Sequence, residues 1–126
     1  MLRTILTIDD DQNITDIIKT ALESTKMYEV RVVNDSKEAI SAIRKIMPDL
    51  ILLDLMMPSP SGEEIIEQML DDPELKNLKY VFLTMLVDRI DPNKPGQLIG
   101  GQTFLSKPIN VQQLIHFVDT QFFKTQ

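Results

Sequence analysis

Short apolar runs alternate with amphipathic stripes along the chain, and few folds accept that order. Ile5-Leu6-Thr7-Ile8 is short and largely apolar, as in a strand covered on both faces. The next segment repeats apolar residues at i, i+3, i+4, i+7 and i+8, namely Ile14, Ile17, Ile18, Ala21 and Leu22, which predicts a helix. Asn13 is its expected N-cap, with Asp16 in the first turn. Tyr28 to Val33 reads as a second strand. Asp35 and Glu38 have the spacing of a capping box before a second stripe at Ala39, Ile40, Ile43 and Met47, which Pro48 ends. Leu50 to Leu53 is the most apolar run and the expected centre of the sheet. A third helix is marked by Ile65, Ile66, Met69 and Leu70, and further strands by Tyr80 to Leu83 and Thr103 to Ser106. Asn110 and Gln113 cap a last helix carrying Val111, Leu114, Ile115, Val118 and Phe122. Alternating strands and helices predict parallel βαβ units with helices on both faces of the sheet. Such sheets bind ligands beyond the carboxyl ends of their strands.

Composition narrows the function. The 126 residues fit one domain, expected to span 1–126, and lack Cys, which excludes disulfides, thiolate metal sites and Cys nucleophiles. A net charge of -6 argues against a nucleic-acid surface and suits a cation site built from carboxylates. No apolar run approaches the roughly 18–20 residues that span a bilayer. The apolar start is too short for a signal peptide, so the expected location is the cytoplasm, away from membranes. The seven methionines are read as adaptable core filler, and His116 as a surface residue of the last helix.

Several chemically active residues fall at strand ends. Asp9, Asp10 and Asp11 follow the first strand, Asp54 the third, Thr84 ends the fourth, and Lys107 follows the fifth and precedes Pro108. A parallel sheet brings these ends to one edge. Carboxylates held close repel and raise one another's pKa, and a divalent cation relieves this. Mg²⁺ prefers oxygen ligands and keeps several waters, so a few carboxylates and a carbonyl suffice. A lysine ammonium and a threonine hydroxyl can each hold a phosphoryl oxygen. Together these are the parts for phosphoryl transfer to an aspartate, a reaction that depends on positioning and charge neutralisation. Asp11 reads more simply as a helix cap.

The set Ile8-Asp9-Asp10-Asp11, Leu53-Asp54-Leu55-Met56-Met57-Pro58 with Gly62, Phe82-Leu83-Thr84 and Lys107-Pro108 resembles the receiver domains of bacterial response regulators. The resemblance implies a three-layer, flavodoxin-like (βα)5 sandwich around a five-stranded parallel sheet in order 2-1-3-4-5. It implies that Asp54 takes a phosphoryl group from a sensor histidine kinase or phosphotransfer protein. The metal would be Mg²⁺, held by Asp9, Asp10, Asp54 and the backbone carbonyl of Met56. Asp10 would ligate directly and Asp9 through water. Thr84 would be the switch hydroxyl, Lys107 the phosphoryl partner, and Phe104 the aromatic switch. Pro108 is expected to follow a cis peptide bond. Such a domain is a signalling phosphoacceptor rather than an enzyme, acting only on itself. With the chain ending soon after its last helix, output is expected through a downstream effector protein or a relay.

The chain departs from that pattern in one region. Met85 stands where relatives carry a small residue, so it is expected to crowd the phosphoryl pocket. Leu86 is also bulky, and with Met56 it flanks the expected path of attacking water. Pro92, Pro95 and Gly96 oppose a regular fourth helix, predicting one that is short or irregular between about Val87 and Gly101. Two other classes compete. A haloacid-dehalogenase-like phosphatase would use Asp9 as nucleophile, but it would leave Asp54 unexplained. A receiver-like interaction module that is never phosphorylated would fit a pocket closed by Met85.

Overall fold

The computed structural model describes residues 2–85, 97–99 and 101–123. Its elements are β1 (Arg3–Ile8), α1 (Gln12–Glu23), β2 (Tyr28–Val33), α2 (Ala39–Ile46), β3 (Leu50–Asp54), α3 (Gly62–Leu70), β4 (Tyr80–Thr84), β5 (Gln97–Ile99), β6 (Gln102–Ser106) and α4 (Val111–Phe122). Strands β2-β1-β3-β4-β6 lie side by side and parallel, which is the expected 2-1-3-4-5 order with β6 as the fifth strand.

Both faces of the sheet are covered, so its central strand β3 is apolar up to Asp54. Leu50, Ile51, Leu52 and Leu53 are all fully buried on β3, between β1 and β4. Alternate side chains feed two cores. Leu6, Ile8, Ile51, Leu53 and Phe82 pack with Ile43 of α2 and Ile65 and Met69 of α3. Ile5, Leu50, Leu52, Val81 and Leu83 pack with Ile18 and Leu22 of α1 and Leu114, Phe117 and Val118 of α4. Each such fully buried aliphatic side chain contributes about 1.5–3 kcal/mol. On the second face, the Tyr28 hydroxyl donates to Asp119 Oδ1 at 2.5 Å and so ties β2 to α4.

The helix ends differ from expectation in detail. Asp11 caps α1, in keeping with its reading as a helix cap and in place of the cap expected at Asn13, its Oδ1 accepting from the Asn13 N–H at 2.9 Å. Asp35 caps a 3₁₀ turn at Ser36–Glu38 that leads into α2, rather than capping α2 itself. Met47 is the left-handed C-cap of α2, with φ +50°, and faces solvent instead of completing the apolar stripe. Pro48 follows directly, where the helix has already stopped. Asn110 caps α4 through the Gln113 N–H, as expected. Ser61 and Glu64 form a full capping box on α3. Among the described methionines, Met57 and Met69 serve as core filler, whereas Met27, Met47, Met56 and Met85 are exposed.

A sixth strand, β5, lies outside β6 and runs antiparallel to it, pairing Gln97 with Phe104 and Ile99 with Gln102. Three residues are too few to show a period, so the apolar pattern did not reveal it. Gly101, at φ +82°, supplies the backbone shape that a two-residue return requires. The irregular fourth helix expected between about Val87 and Gly101 falls mainly on 86–96, outside the described residues. Gln97–Ile99 is extended, so no such helix continues through it.

Gly62 sets the distance between α3 and the end of β3. Its N–H donates to the Leu55 carbonyl at 3.1 Å. A Cβ there would lie 2.3 Å from the Asp54 carbonyl oxygen and 2.9 Å from Leu55 Cα, both backbone atoms. Gly62→Ala is therefore expected to destabilise the fold by about 3 kcal/mol. Urea unfolding measures this directly, and a loss under about 0.5 kcal/mol would show that the contact yields freely.

Candidate functional site

The parallel strands deliver their carboxyl ends to one edge, and the expected residues meet there. Asp9 leaves β1, Asp54 ends β3, Thr84 ends β4 and Lys107 leaves β6. Carboxylate oxygens of Asp9, Asp10 and Asp54 all lie within 4.8 Å of one another. Asp9 is fully buried, Asp54 is 6% exposed and Asp10 is open to solvent. Lys107 Nζ approaches Asp9 Oδ2 to 2.8 Å and Asp54 Oδ1 to 3.4 Å. Residues nearly a hundred positions apart thus form one charged cluster.

Local hydrogen bonds aim these groups. The Asp11 N–H donates to Asp9 Oδ1 at 2.9 Å and the Met56 N–H to Asp54 Oδ1 at 3.2 Å, so each aspartate is held by the backbone two residues on. The Lys107 N–H donates to the Thr84 carbonyl at 2.8 Å, which fixes β6 against β4 at the cleft. Thr84 is buried at this junction. The Lys107–Pro108 peptide is cis, as expected. Asn34 was missed in the sequence. Its Nδ2 donates to the Asp9 carbonyl at 2.9 Å and to Thr15 Oγ1 at 3.0 Å, fastening β1, β2 and α1 together behind the cluster. Its position directly after β2, at the same sheet edge, was the available signal.

Electrostatics show an excess of negative charge. Burial first, then the neighbouring Asp9 charge, push the Asp54 carboxyl above the usual carboxylate range, against the pull of Lys107 and the Met56 N–H. Burial opposes the charge on Lys107, but the Asp9 and Asp54 carboxylates outweigh it and raise its pKa above the ordinary lysine value. Among the described residues, three crowded carboxylates facing a single ammonium match the demands of a hard divalent cation.

Two expectations about bulky neighbours change. Met85 was expected to crowd the cleft, yet its side chain is 72% exposed and so does not fill it. Met56 is likewise turned to solvent, at 69% exposed. Leu86 lies outside the described residues. Phe104 is half-buried with its ring stacked on Phe82, 5.5 Å between centroids, beside a cavity of about 330 Å³ that Leu55, Ile66 and Leu70 also line. His116 is exposed on α4.

Residues 5–119 match the response regulator receiver domain family. The chain belongs to that family. As a receiver domain it is a signalling module. Among curated relatives, it is 29% identical over 115 residues to the DNA-binding response regulator MtrA of Mycolicibacterium paratuberculosis, covering 91% of this chain and 49% of that protein. It is 33% identical over 106 residues to the response regulator PleD of Caulobacter vibrioides, covering 84% of this chain and 23% of that one. The receiver thus spans about half or less of the length of these relatives. Among solved structures, the chemotaxis response regulator CheY4 of Vibrio cholerae superposes with a TM-score of 0.78 at 26% identity, covering 94% of this chain and 98% of that one. The N-terminal domain of a response regulator receiver protein from Methanoculleus marisnigri gives 0.70 at 27% identity, with both chains covered completely. No described helix is long and apolar enough to cross a membrane.

The raised pKa of Asp54 has a consequence for stability. Its folded-state pKa exceeds the unfolded one, so the ionised form costs stability above that pKa, and the cost is relieved as pH falls through it. In the presence of a chelator, Asp54→Asn should stabilise the receiver at neutral pH by about 1 kcal/mol, or roughly 2–8 °C in Tm. The gain should fade as the solution is acidified to about pH 3, where wild-type Asp54 is also neutral. Melting curves at both pH values test this, and a pH-independent gain would remove charge as its cause.

Proposed function

We propose that this receiver takes a phosphoryl group onto Asp54 from the phosphohistidine of a sensor histidine kinase or phosphotransfer protein, in a Mg²⁺-dependent reaction. The observation that carries the reading is the placement of Asp54, at the end of the central strand, 3.4 Å from Lys107 and beside Asp9 and Asp10. An Asp54 carboxylate oxygen attacks phosphorus, the P–N bond breaks, and the imidazole leaves with the electron pair and regains a proton. Asp9, Asp10, Asp54 and the Met56 carbonyl would hold Mg²⁺, with Asp9 acting through water. When bound, the ion supplies positive charge against the phosphoryl oxygens. Lys107 moves its charge from the carboxylates to a phosphoryl oxygen, and the Thr84 hydroxyl donates to another. Thr84 and Phe104 are the switch positions, on adjacent strands β4 and β6, through which the change would reach a downstream effector protein. A silent interaction module is the weaker reading, because Met85, its main support, stands in solvent.

Incubation with acetyl phosphate and Mg²⁺ should add one phosphoryl mass to the wild type and none to Asp54→Asn. Undiminished labelling of that variant would move the acceptor elsewhere. Asp10→Ala should label weakly and no better with added Mg²⁺, through loss of a direct ligand. Apolar Met56 cannot orient an attacking water, so phosphorylated wild type should lose its group slowly, and Met56→Asn should lose it roughly threefold faster or more. Equal rates would show that this side chain does not govern water.

A further inference from the structure

The two most exposed large apolar side chains among the described residues are Met85, at 72%, and Met56, at 69%. Both stand at the same strand ends. Asp54 and Leu83 are paired in register on β3 and β4, and each methionine follows its paired residue by two positions. Met56 is fastened to Asp54 through its N–H, and Met85 directly follows Thr84, whose carbonyl holds Lys107. Met57, the next residue after Met56, is only 8% exposed, and Met69 is fully buried. The chain therefore presents two exposed thioether side chains just after the strand ends that carry Asp54 and Thr84, while shielding a sequence neighbour of the same type.

We propose that Met56 and Met85 are oxidation sites for a peroxide, and that their sulfoxides shorten the lifetime of phosphorylated Asp54. The second half rests on the reading of Asp54 as phosphoacceptor. In the reaction, a sulfur lone pair attacks one oxygen of hydrogen peroxide. The S–O bond forms as the O–O bond breaks, and the departing hydroxide takes up the remaining proton to give water. Sulfur is oxidised by two electrons and the peroxide is reduced by two. Access decides which methionines react, and both sulfurs are carried on solvent-facing side chains. The product replaces a flexible apolar group by a strong hydrogen-bond acceptor. At the rim of a cleft holding an acyl phosphate, that oxygen can hold a water where the thioether held none.

The molecule contains its own controls. Met27 and Met47 are exposed, at 40% and 47%, but lie at the start of β2 and the end of α2, away from the carboxyl edge. Purified protein should be exposed to hydrogen peroxide for graded times and sulfoxides mapped by peptide mass spectrometry. Met56 and Met85 should oxidise about tenfold faster than Met57 and Met69. Wild type and the double variant Met56→Leu/Met85→Leu should then be phosphorylated with acetyl phosphate, and the loss of phosphate followed in oxidised and untreated samples of each. Oxidation should shorten the lifetime in wild type by about threefold and leave that of the double variant unchanged. Equal oxidation of Met57, or an equal shortening in the double variant, would overturn the proposal. If untreated wild type takes no phosphate, the phosphoacceptor reading fails and takes the lifetime claim with it, while the peptide map alone decides the selectivity claim.

Discussion

Asp9 carries its charge at a fully buried position, and Lys107 Nζ, 2.8 Å away, is what makes that tolerable. An uncompensated buried carboxylate would cost several kcal/mol, so the end of β1 and the end of β6 must arrive together. Everything between them is arranged to allow it. β3 and β4 lie between these strands and bring Asp54 and Thr84 to the same edge. The Lys107 N–H bound to the Thr84 carbonyl fixes the last register, and Asn34 grips the Asp9 backbone from behind. Burial first, and then the neighbouring Asp9 charge, hold the Asp54 carboxyl above the usual range in spite of Lys107. Among the described residues three carboxylates face the single Lys107 ammonium, which leaves work for a cation or a change of protonation to do.

That construction relies heavily on backbone. Asp9 and Asp54 are each oriented by an N–H two residues further along, so the neighbouring side chains are free to vary without moving the carboxylates. Gly62 extends the same logic, since the first turn of α3 sits against the Asp54 carbonyl with no room for a Cβ. The Met56 side chain can consequently stand in solvent while its main chain helps to shape the cleft.

The fold was largely legible because a sheet covered on both faces needs nearly continuous apolar strands, and Leu50–Leu53 shows that need undiluted. The site was legible for a related reason, as ionisable residues directly after apolar runs have few structural explanations. Local competition between polar residues was harder to read. Asp11 outcompeted Asn13 for the α1 cap because it reaches the N–H two residues on, and both residue types are good caps. Met47 looked like part of a stripe, but its left-handed φ before Pro48 had already ended the helix. Exposure of the methionines was invisible in the sequence, since an apolar residue at a strand end can face either way. Asn34 was overlooked because an amide carries no charge to mark it out.

The β5–β6 hairpin alters how such a chain assembles. Pairing β6 with β4 joins residues about twenty positions apart, and the pairing of β3 with β1 spans more than forty, so both carry a substantial loop-closure cost. Ile99 and Gln102, by contrast, meet across three peptide bonds. Hairpins of this kind close in about 1–10 μs, faster than distant strands find one another. The strand bearing Phe104 and leading to Lys107 therefore has a local template available before its parallel partner arrives, and the most remote edge of the sheet need not wait for the centre.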